Sequence, residues 1–501
     1  MRTIPSFNRR QMLAGVGASA AAFLLEQSRL QAQAPPAKTI VFSHTTVADA
    51  NHVLDDVALA VTDNMIAAIG PTDDILKAYP QAEVHDGRGK ALLPGLINCH
   101  AHLSATIARG FNEDFGFPNS MHLAIQPNSL LSKEESTMMA VVGALEAMRS
   151  GATTVVENTG NIGRNASELA KTGQRWVFAE SIRDTENVSG AMSPEQFAKS
   201  EPPKFSAKQR DEGMQRIQDL FSTWHGKEGR ISVFPAAGLA ETSSPELLKA
   251  VRAFAEKHDL GYTIHLGQSH AEVDFMVKYH GVRPATFLAK HDFLGPRLFA
   301  GHCRYMNDEE IALLGRSASI VSHQAPMAGN RGVLPPIAKL RAAGCTIANG
   351  TDNNTNDSFE VMRIALVTER ISRGDDPTPG LYPQPEDMLQ DATQGGAQAT
   401  RQSKYLGTLE VGKKADFIVL NTRKIHLVPN MRIISAWIHN GQPSDIESMV
   451  VDGKFVMRDR KILTMDEDAI IAEASKVGQR VWNKVLEAGA VPIPGRTISK
   501  N

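Results

Sequence analysis

Two histidines, His100 and His102, stand two residues apart at the end of the apolar run 91–99. Alternate residues of a strand face the same side, so a strand here would present both imidazoles on one face. Three later apolar runs also end in residue types that ligate metals: these are His265, His302 and Asp352. Three histidines with one carboxylate suit Zn²⁺ or a neighbour such as Fe²⁺, Mn²⁺ or Co²⁺. The spacing therefore predicts a divalent metal site among His100, His102, His265, His302 and Asp352.

Short apolar runs alternate with amphipathic stretches from about residue 91 to residue 401, a pattern typical of repeated strand–helix units. Helix starts fall between the runs, as in the capping box of Ser132 with Glu135. The strand candidates are Ala91–Asn98, Thr153–Asn158, Arg175–Ser181, Ile231–Ala237, Gly261–Leu266, Leu298–His302, Ser319–His323 and Thr346–Gly350. Eight such runs predict an α/β fold, a (β/α)8 TIM barrel, whose sites form at the C-terminal ends of the strands.

The two flanks of this region have a different pattern, with short alternating strands and turns such as Asp86-Gly87 and Asp452-Gly453. Lys38–Gly89 and Tyr405–Arg460 are expected to form one small β-sandwich module from both chain ends. A last helix is predicted over about Asp466–Ala488. The domain prediction is 1–34 signal peptide, 35–90 and 405–460 β-sandwich, 91–404 barrel, and 461–501 C-terminal helix and tail.

The N-terminal segment indicates export. Asn8-Arg9-Arg10-Gln11-Met12-Leu13 precedes an apolar stretch rich in Gly and Ala, which is typical of a twin-arginine signal. The alternative, a membrane anchor, has too few apolar residues to span a bilayer. We expect a periplasmic or secreted protein without a stable membrane span.

Composition limits the class of partner. The chain has 501 residues, with 53 Lys and Arg against 55 Asp and Glu. This balance offers no argument for nucleic acid or an anionic membrane, and a small molecule is the expected partner. The three cysteines, Cys99, Cys303 and Cys345, lie in apolar runs and predict buried packing residues rather than a disulfide framework.

The motifs together resemble the amidohydrolase superfamily, and within it the branch of triazine hydrolases and cytosine-type deaminases. The matching segments are Pro94-Gly95-Leu96-Ile97-Asn98-Cys99-His100-Ala101-His102, Gly301-His302-Cys303, Ser322-His323-Gln324-Ala325-Pro326, Gly350-Thr351-Asp352, the stretch 406–417 and Val451-Asp452-Gly453-Lys454. The resemblance covers essentially the whole mature chain.

The resemblance implies His100, His102 and His265 as ligands and Asp352 as a ligand or as the catalytic base. A bound cation lowers the pKa of water from ~15.7 toward ~7, and a neighbouring carboxylate can take its proton. His302 would be a catalytic group beside the water or the substrate oxygen. Homo-oligomers are common among proteins of this kind, so a homo-oligomer is a further expectation.

The sequence departs from the family pattern at one position. Family deaminases usually carry Glu three residues after the strand-five histidine, where it shuttles protons to a ring nitrogen; here the residue is Gln268. An amide has no proton to give in this pH range. Hydrolysis of an amide, carbamate or urea-type C–N bond of a small cyclic or aromatic compound is therefore favoured over deamination, unless Glu272 or a substrate group replaces the missing acid.

Other residues are candidates for substrate contacts. We expect Phe111, Phe117 and His122, in the loop after the first barrel strand, to form a pocket wall, and His323, Gln268 and His302 to line the pocket. The alternative functions are a deaminase or dehalogenating hydrolase of an N-heterocycle, and an exported metal-binding protein without catalysis.

Overall fold

A computed structural model of the chain describes residues 38–489 except 112, 115–122, 189, 354 and 375–381. The predicted signal segment, Phe117 and His122 lie outside the described residues. None of the helices in the described ranges combines the length and the apolar character that a bilayer crossing requires.

The strands form two sheets. The first five are β1 Thr39–Ala48, β2 Val53–Thr62, β3 Met65–Pro71, β4 Glu83–Asp86 and β5 Lys90–Pro94. The next eight are β6 Leu96–Ala101, β7 Ala152–Thr159, β8 Arg175–Ile182, β9 Ile231–Leu239, β10 Tyr262–Leu266, β11 Leu298–His302, β12 Ile320–His323 and β13 Thr346–Asn349. The last four are β14 Phe417–Asn421, β15 Ile446–Val451, β16 Lys454–Arg458 and β17 Lys461–Ile462.

Helices connect the strands. They are α1 Thr72–Ala78, α2 Lys133–Arg149, α3 Ala166–Lys171, α4 Pro194–Ala198, α5 Ala207–Trp224, α6 Pro245–Lys257, α7 His270–His280, α8 Pro284–Lys290, α9 Asp308–Arg316, α10 Ala325–Asn330, α11 Ile337–Ala342, α12 Ser358–Ser372, α13 Pro385–Gln390, α14 Gly396–Ala399, α15 Ile433–Asn440 and α16 Glu467–Glu487. Ser132 caps α2 in the predicted capping box with Glu135. Helix α16 confirms the predicted C-terminal helix.

Strands β6 to β13 form one parallel sheet in sequence order, as the strand–helix alternation predicts. A parallel bridge between Ala101 and Asp352 joins its two ends, so the sheet is a nearly closed barrel. The TIM-barrel prediction is confirmed. The closing backbone bonds involve the predicted site itself, because the Asp352 N–H donates to the His100 carbonyl over 2.8 Å.

The second sheet contains strands from both chain ends, as predicted. Its order is β17-β16-β15-β14-β5-β1-β2-β3, with β4 paired to β1. Strands β5 and β14 pair antiparallel and so join the N-terminal and C-terminal parts. A buried ion pair ties this sheet to the barrel: Arg175, which begins β8, donates to Asp416 over 2.9 Å.

The predicted single strand over Ala91–Asn98 is two strands in the structure, which is a correction. The chain leaves the mixed sheet at Pro94 and enters the barrel at Leu96. Gly95 lies between them, where a Cβ would come within 2.0 Å of the Thr153 hydroxyl oxygen. Only glycine allows this close approach, so the two sheets meet at this residue.

Candidate active site

The predicted ligands gather at one end of the barrel. His100 lies within β6 and His102 follows it, His265 lies in β10, and Asp352 stands three residues beyond β13. All are near the C-terminal ends of parallel strands, which lie at the same end of a barrel. The fold therefore brings together residues that are up to 252 positions apart in the sequence, from His100 to Asp352.

The three histidines converge on a small volume. The His265 Nε2 and His102 Nε2 atoms lie 3.2 Å apart. The His100 ring centroid lies 4.9 Å from that of His102 and 4.7 Å from that of His265. His100 is 0% exposed, and neither of its ring nitrogens has a hydrogen-bond partner within the described part of the chain. A buried imidazole without partners is costly unless another group satisfies it, and a metal ion would do so.

The charge state of the rings suits metal binding. Burial, with a smaller contribution from the neighbouring His102, lowers the pKa of His265 to about 4. Burial also lowers the pKa of His100 well below its ordinary value, with His265 and His102 adding to the effect. Neutral imidazoles are the form that ligates metals.

Asp352 completes the cluster from the other side. Its side chain is almost buried, with Oδ1 3.6 Å from His102 Nε2 and Oδ2 3.7 Å from His302 Nδ1. Its backbone has a φ of 65°, held by the bond to the His100 carbonyl. Two overlapping groups could hold a metal, His100 with His102 and His265, and His100 with His302 and Asp352; in each group the ligand atoms lie within 4.8 Å of one another. Both groups share His100.

A backbone carbonyl orients one of the ligands. The His265 Nδ1 atom lies 2.7 Å from the Gly238 carbonyl oxygen in β9, so Nδ1 must carry the proton and donate it. The lone pair of the neutral ring is then on Nε2, the atom that faces His102. Such a partner is common behind metal-ligating histidines. The sequence held no sign of it, because any residue type supplies a carbonyl.

Arg304 is a buried residue of the site that the sequence analysis missed. Its Nη2 donates to His302 Nδ1 over 3.1 Å and lies 3.8 Å from Asp352 Oδ2. Since Nδ1 accepts this hydrogen bond, the proton of the neutral His302 ring is on Nε2, which has no partner among the residues the structure describes. His302 is thus available as a hydrogen-bond donor at the site.

Gln268 lines the cavity, and Glu272 is not among the described lining residues. Gln268 is 6% exposed and lines the cavity. Glu272 is fully buried, and its two carboxyl oxygens accept the backbone N–H groups of Gly267 and Gln268 over 2.7 and 2.8 Å. The pKa of Glu272 is raised to about 7, because the effect of burial exceeds the opposing effect of these two hydrogen bonds. Its role is to hold the loop that presents Gln268.

The cavity above the cluster has a volume of about 470 Å³, which is enough for a small organic molecule. Its walls come from the loops after the barrel strands. The described lining residues are His102, Gly160, Asn161, Ser181, Ile182, Arg183, Arg216, Gly238, Leu239, Thr242, His265, Gln268, His302, Arg304, Met327, Arg331, Asp352 and Asn353. Asp352 is the single carboxylate in this set.

The other predicted pocket residues have different positions. Phe111 stacks on Trp482 of α16, with ring centroids 3.5 Å apart, and is not among the described lining residues of the cavity. His323 ends β12 and is buried, and it too is absent from that set. Substrate contacts by these two side chains, and by Phe117 and His122, stay predictions.

The comparisons with known proteins agree with this geometry. Residues 91–456 match the model of the amidohydrolase family. The chain belongs to the amidohydrolase family. Residues 58–82 match a bacterial imidazolonepropionase-like composite domain. The chain is 28% identical over 436 residues to a 5-methylthioadenosine/S-adenosylhomocysteine deaminase of Desulforudis audaxviator, covering 85% of this chain and 95% of the relative.

Two solved structures share the fold of this amidohydrolase. A zinc-bound adenosine deaminase from Xanthomonas campestris has a TM-score of 0.78 at 24% identity, covering 90% of this chain and all of that one. The atrazine chlorohydrolase of Arthrobacter aurescens TC1, complexed with zinc, has a TM-score of 0.76 at 21% identity, covering 88% of this chain and all of that one. The predicted enzyme class, a hydrolase of C–N bonds other than peptide bonds, is confirmed at the level of the family.

Proposed function

We propose that this amidohydrolase uses one divalent metal, most simply Zn²⁺, to hydrolyse an amide, carbamate or urea-type C–N bond of a small cyclic or aromatic compound. The observation that carries this proposal is the pair formed by Gln268 and Asp352. Gln268 occupies the position of the usual ring-protonating acid, and Asp352 is the one carboxylate among the described lining residues. A single acid–base group suffices for this reaction, because the group that accepts a proton from water can return it to the leaving nitrogen.

The donor set fits the metal. His100, His102 and His265 would hold it, with Asp352 as a further ligand or as the base. When bound, such an ion supplies activation of water and polarisation of a carbonyl. The lowered pKa values of His100 and His265 support this assignment, as do the His100 ring nitrogens, which have no hydrogen-bond partner among the described residues.

The remaining steps belong to the side chains of this chain. Asp352 accepts the proton of the attacking water and then donates it to the departing nitrogen. His302, with its proton fixed on Nε2 by Arg304, can donate to the substrate oxygen as negative charge develops there. The Gln268 amide can donate to a carbonyl and so orient the substrate.

The test is product release from matched panels. Metal-loaded protein is incubated with amides, carbamates and ureas of small ring compounds, and separately with amino-heterocycles, while amine and ammonia are measured. We expect turnover in the first panel. Turnover confined to amino-heterocycles would contradict the proposal.

A second candidate is deamination or dehalogenation of an N-heterocycle. It is favoured by the relatives, of which one bears the name of a nucleoside-type deaminase and one that of a chlorohydrolase. The variant Gln268→Glu separates the two candidates. If it creates or raises deamination, the missing acid explains the specificity; if it only abolishes amide hydrolysis, Gln268 is a substrate-binding donor.

We also propose that the chain is exported by the twin-arginine route. The proposal rests on Arg9 and Arg10 ahead of the apolar stretch. Replacing both arginines with lysine should leave the protein in the cytoplasmic fraction, whereas the unchanged chain should reach the periplasm. Equal distribution of the two forms would contradict export by this route.

A further inference from the structure

The described lining of the cavity over the metal-site cluster is rich in arginine. Four of its described lining residues are arginines and one is a carboxylate, and the arginines are Arg183, Arg216, Arg304 and Arg331. Glu180 is buried outside the described lining and offsets the charge of Arg216, because its Oε1 lies 3.3 Å from the Arg216 Nε. The lining therefore carries more guanidinium than carboxylate. A cavity walled by one sign of charge concentrates ligands of the opposite sign.

Arg304 lies closest to the reacting groups. Its guanidinium is within 3.8 Å of Asp352 and 3.1 Å of His302, and the residue is buried. Asp352 can offset this charge, but Asp352 itself belongs to the metal-site cluster. A ligand group that contacts Arg304 would therefore stand within a few bond lengths of the atom under attack.

Arg331 shares the cavity with Arg304. It follows the short helix α10 and is half-buried. Both side chains line the same cavity, and an arginine guanidinium is charged at neutral pH. An anion placed between two guanidiniums attracts both and offsets their mutual repulsion.

We infer that the substrate carries a carboxylate close to its scissile C–N bond, and that Arg304 and Arg331 bind this carboxylate. The inference rests on the proposed hydrolysis, because it names the substrate class of the same cavity. A carboxylate is favoured because the planar arginine fork matches its two oxygens in a bidentate pair. The Gln268 backbone carbonyl oxygen accepts from Arg304 Nη1 over 3.4 Å. The Gln268 side-chain amide can therefore donate to the scissile carbonyl of the substrate.

Binding of an unreactive probe tests the inference independently of turnover. Benzoate and nitrobenzene have the same shape but differ by one negative charge, and neither has a bond that the proposed reaction would cleave. Their affinities for the metal-loaded full chain are measured by calorimetry. Benzoate is expected to bind at least ~10-fold more tightly than nitrobenzene.

Two variants assign the binding to Arg331. Arg331→Met should weaken benzoate by ~10-fold or more, whereas Arg331→Lys, which keeps the charge but not the fork, should have an intermediate affinity. Arg316→Met is the matched control, because Arg316 is exposed at the end of α9, where the chain returns to the other end of the barrel. Metal content and thermal unfolding of each variant verify that it is folded and loaded.

The outcomes separate this inference from the proposed function. Benzoate binding that depends on Arg331 supports the anion site even if no compound of the hydrolysis panel is turned over. Equal binding of benzoate and nitrobenzene, no binding of benzoate, or an unchanged benzoate affinity in Arg331→Met would each overturn the inference. So would binding of inorganic phosphate without binding of benzoate, because the class would then not be a carboxylate.

Discussion

Replacing Asp352 with asparagine should remove most of the catalysed rate while the metal stays bound. The residue is 4% exposed, and its two carboxylate oxygens lie 3.6 Å from His102 Nε2 and 3.7 Å from His302 Nδ1. Asparagine has nearly the same shape, so the packing and the backbone bond to His100 should survive. What disappears is the negative charge and the ability to carry a proton.

The size of the loss follows from the role of this carboxylate. A positioned general acid or base typically contributes 10²–10⁴-fold, or about 3–5 kcal/mol of activation free energy. Since Asp352 is the one carboxylate among the described lining residues, the proposed mechanism offers no second group to take over. We therefore expect kcat to fall by at least ~100-fold.

The assay pairs steady-state amine release with elemental analysis of the same sample. The expected result is near-normal metal content with a strongly reduced kcat. Asp352→Glu serves as the companion variant, because it keeps a carboxylate but displaces it by one methylene. An asparagine variant that kept its metal and more than about a tenth of the rate would refute the assignment of Asp352 as the base.

Three further predictions concern the ligands and the frame around them. His265→Ala should lose metal and activity together by elemental analysis and turnover, whereas the exposed His52→Ala should lose neither. Arg175→Met should lower the free energy of unfolding by ~3–5 kcal/mol in denaturant titrations, because it leaves Asp416 buried without its partner; a change below ~1 kcal/mol would contradict this. The Asp357 side chain caps the N-terminus of α12. Burial is the main cause that raises the pKa of Asp357 to about 6. The folded chain then binds more protons than the unfolded chain between pH ~4 and ~6, so this group's contribution to stability falls as pH rises through that window. Asp357→Asn keeps the helix cap and should remove this fall in stability between pH ~4 and ~6. If the variant and the unchanged chain have the same pH profile of thermal unfolding, the prediction is wrong.

Much of the site could be predicted, because the positions of its residues follow from the side-chain alternation and the ends of the strands. His100 and His102 face the same side of their strand because side chains alternate along it. The other predicted ligands, His265 and Asp352, each follow a separate apolar run. The barrel then places all strand ends together without further information. The Asp352 bridge to Ala101 even closes the barrel at the site, which alternation alone could not predict.

Features that depend on local backbone or distant contacts were missed. His302 and Cys303 have positive φ angles of 75° and 48°, so the chain bends after β11 and returns Arg304 to the cavity. Side-chain alternation cannot anticipate such a bend in residues other than glycine. The stacking of Phe111 on Trp482, which is 371 positions away in the sequence, is such a distant contact.

The most direct test of the account is the metal content of the purified full chain, measured together with its turnover of a C–N bond. About one equivalent of divalent metal, lost to a chelator together with amine release and restored with it, is the result that the cluster of His100, His102, His265 and Asp352 predicts. Protein that remains without metal under replete conditions, or that hydrolyses at full rate after the metal is removed, would contradict the central claim.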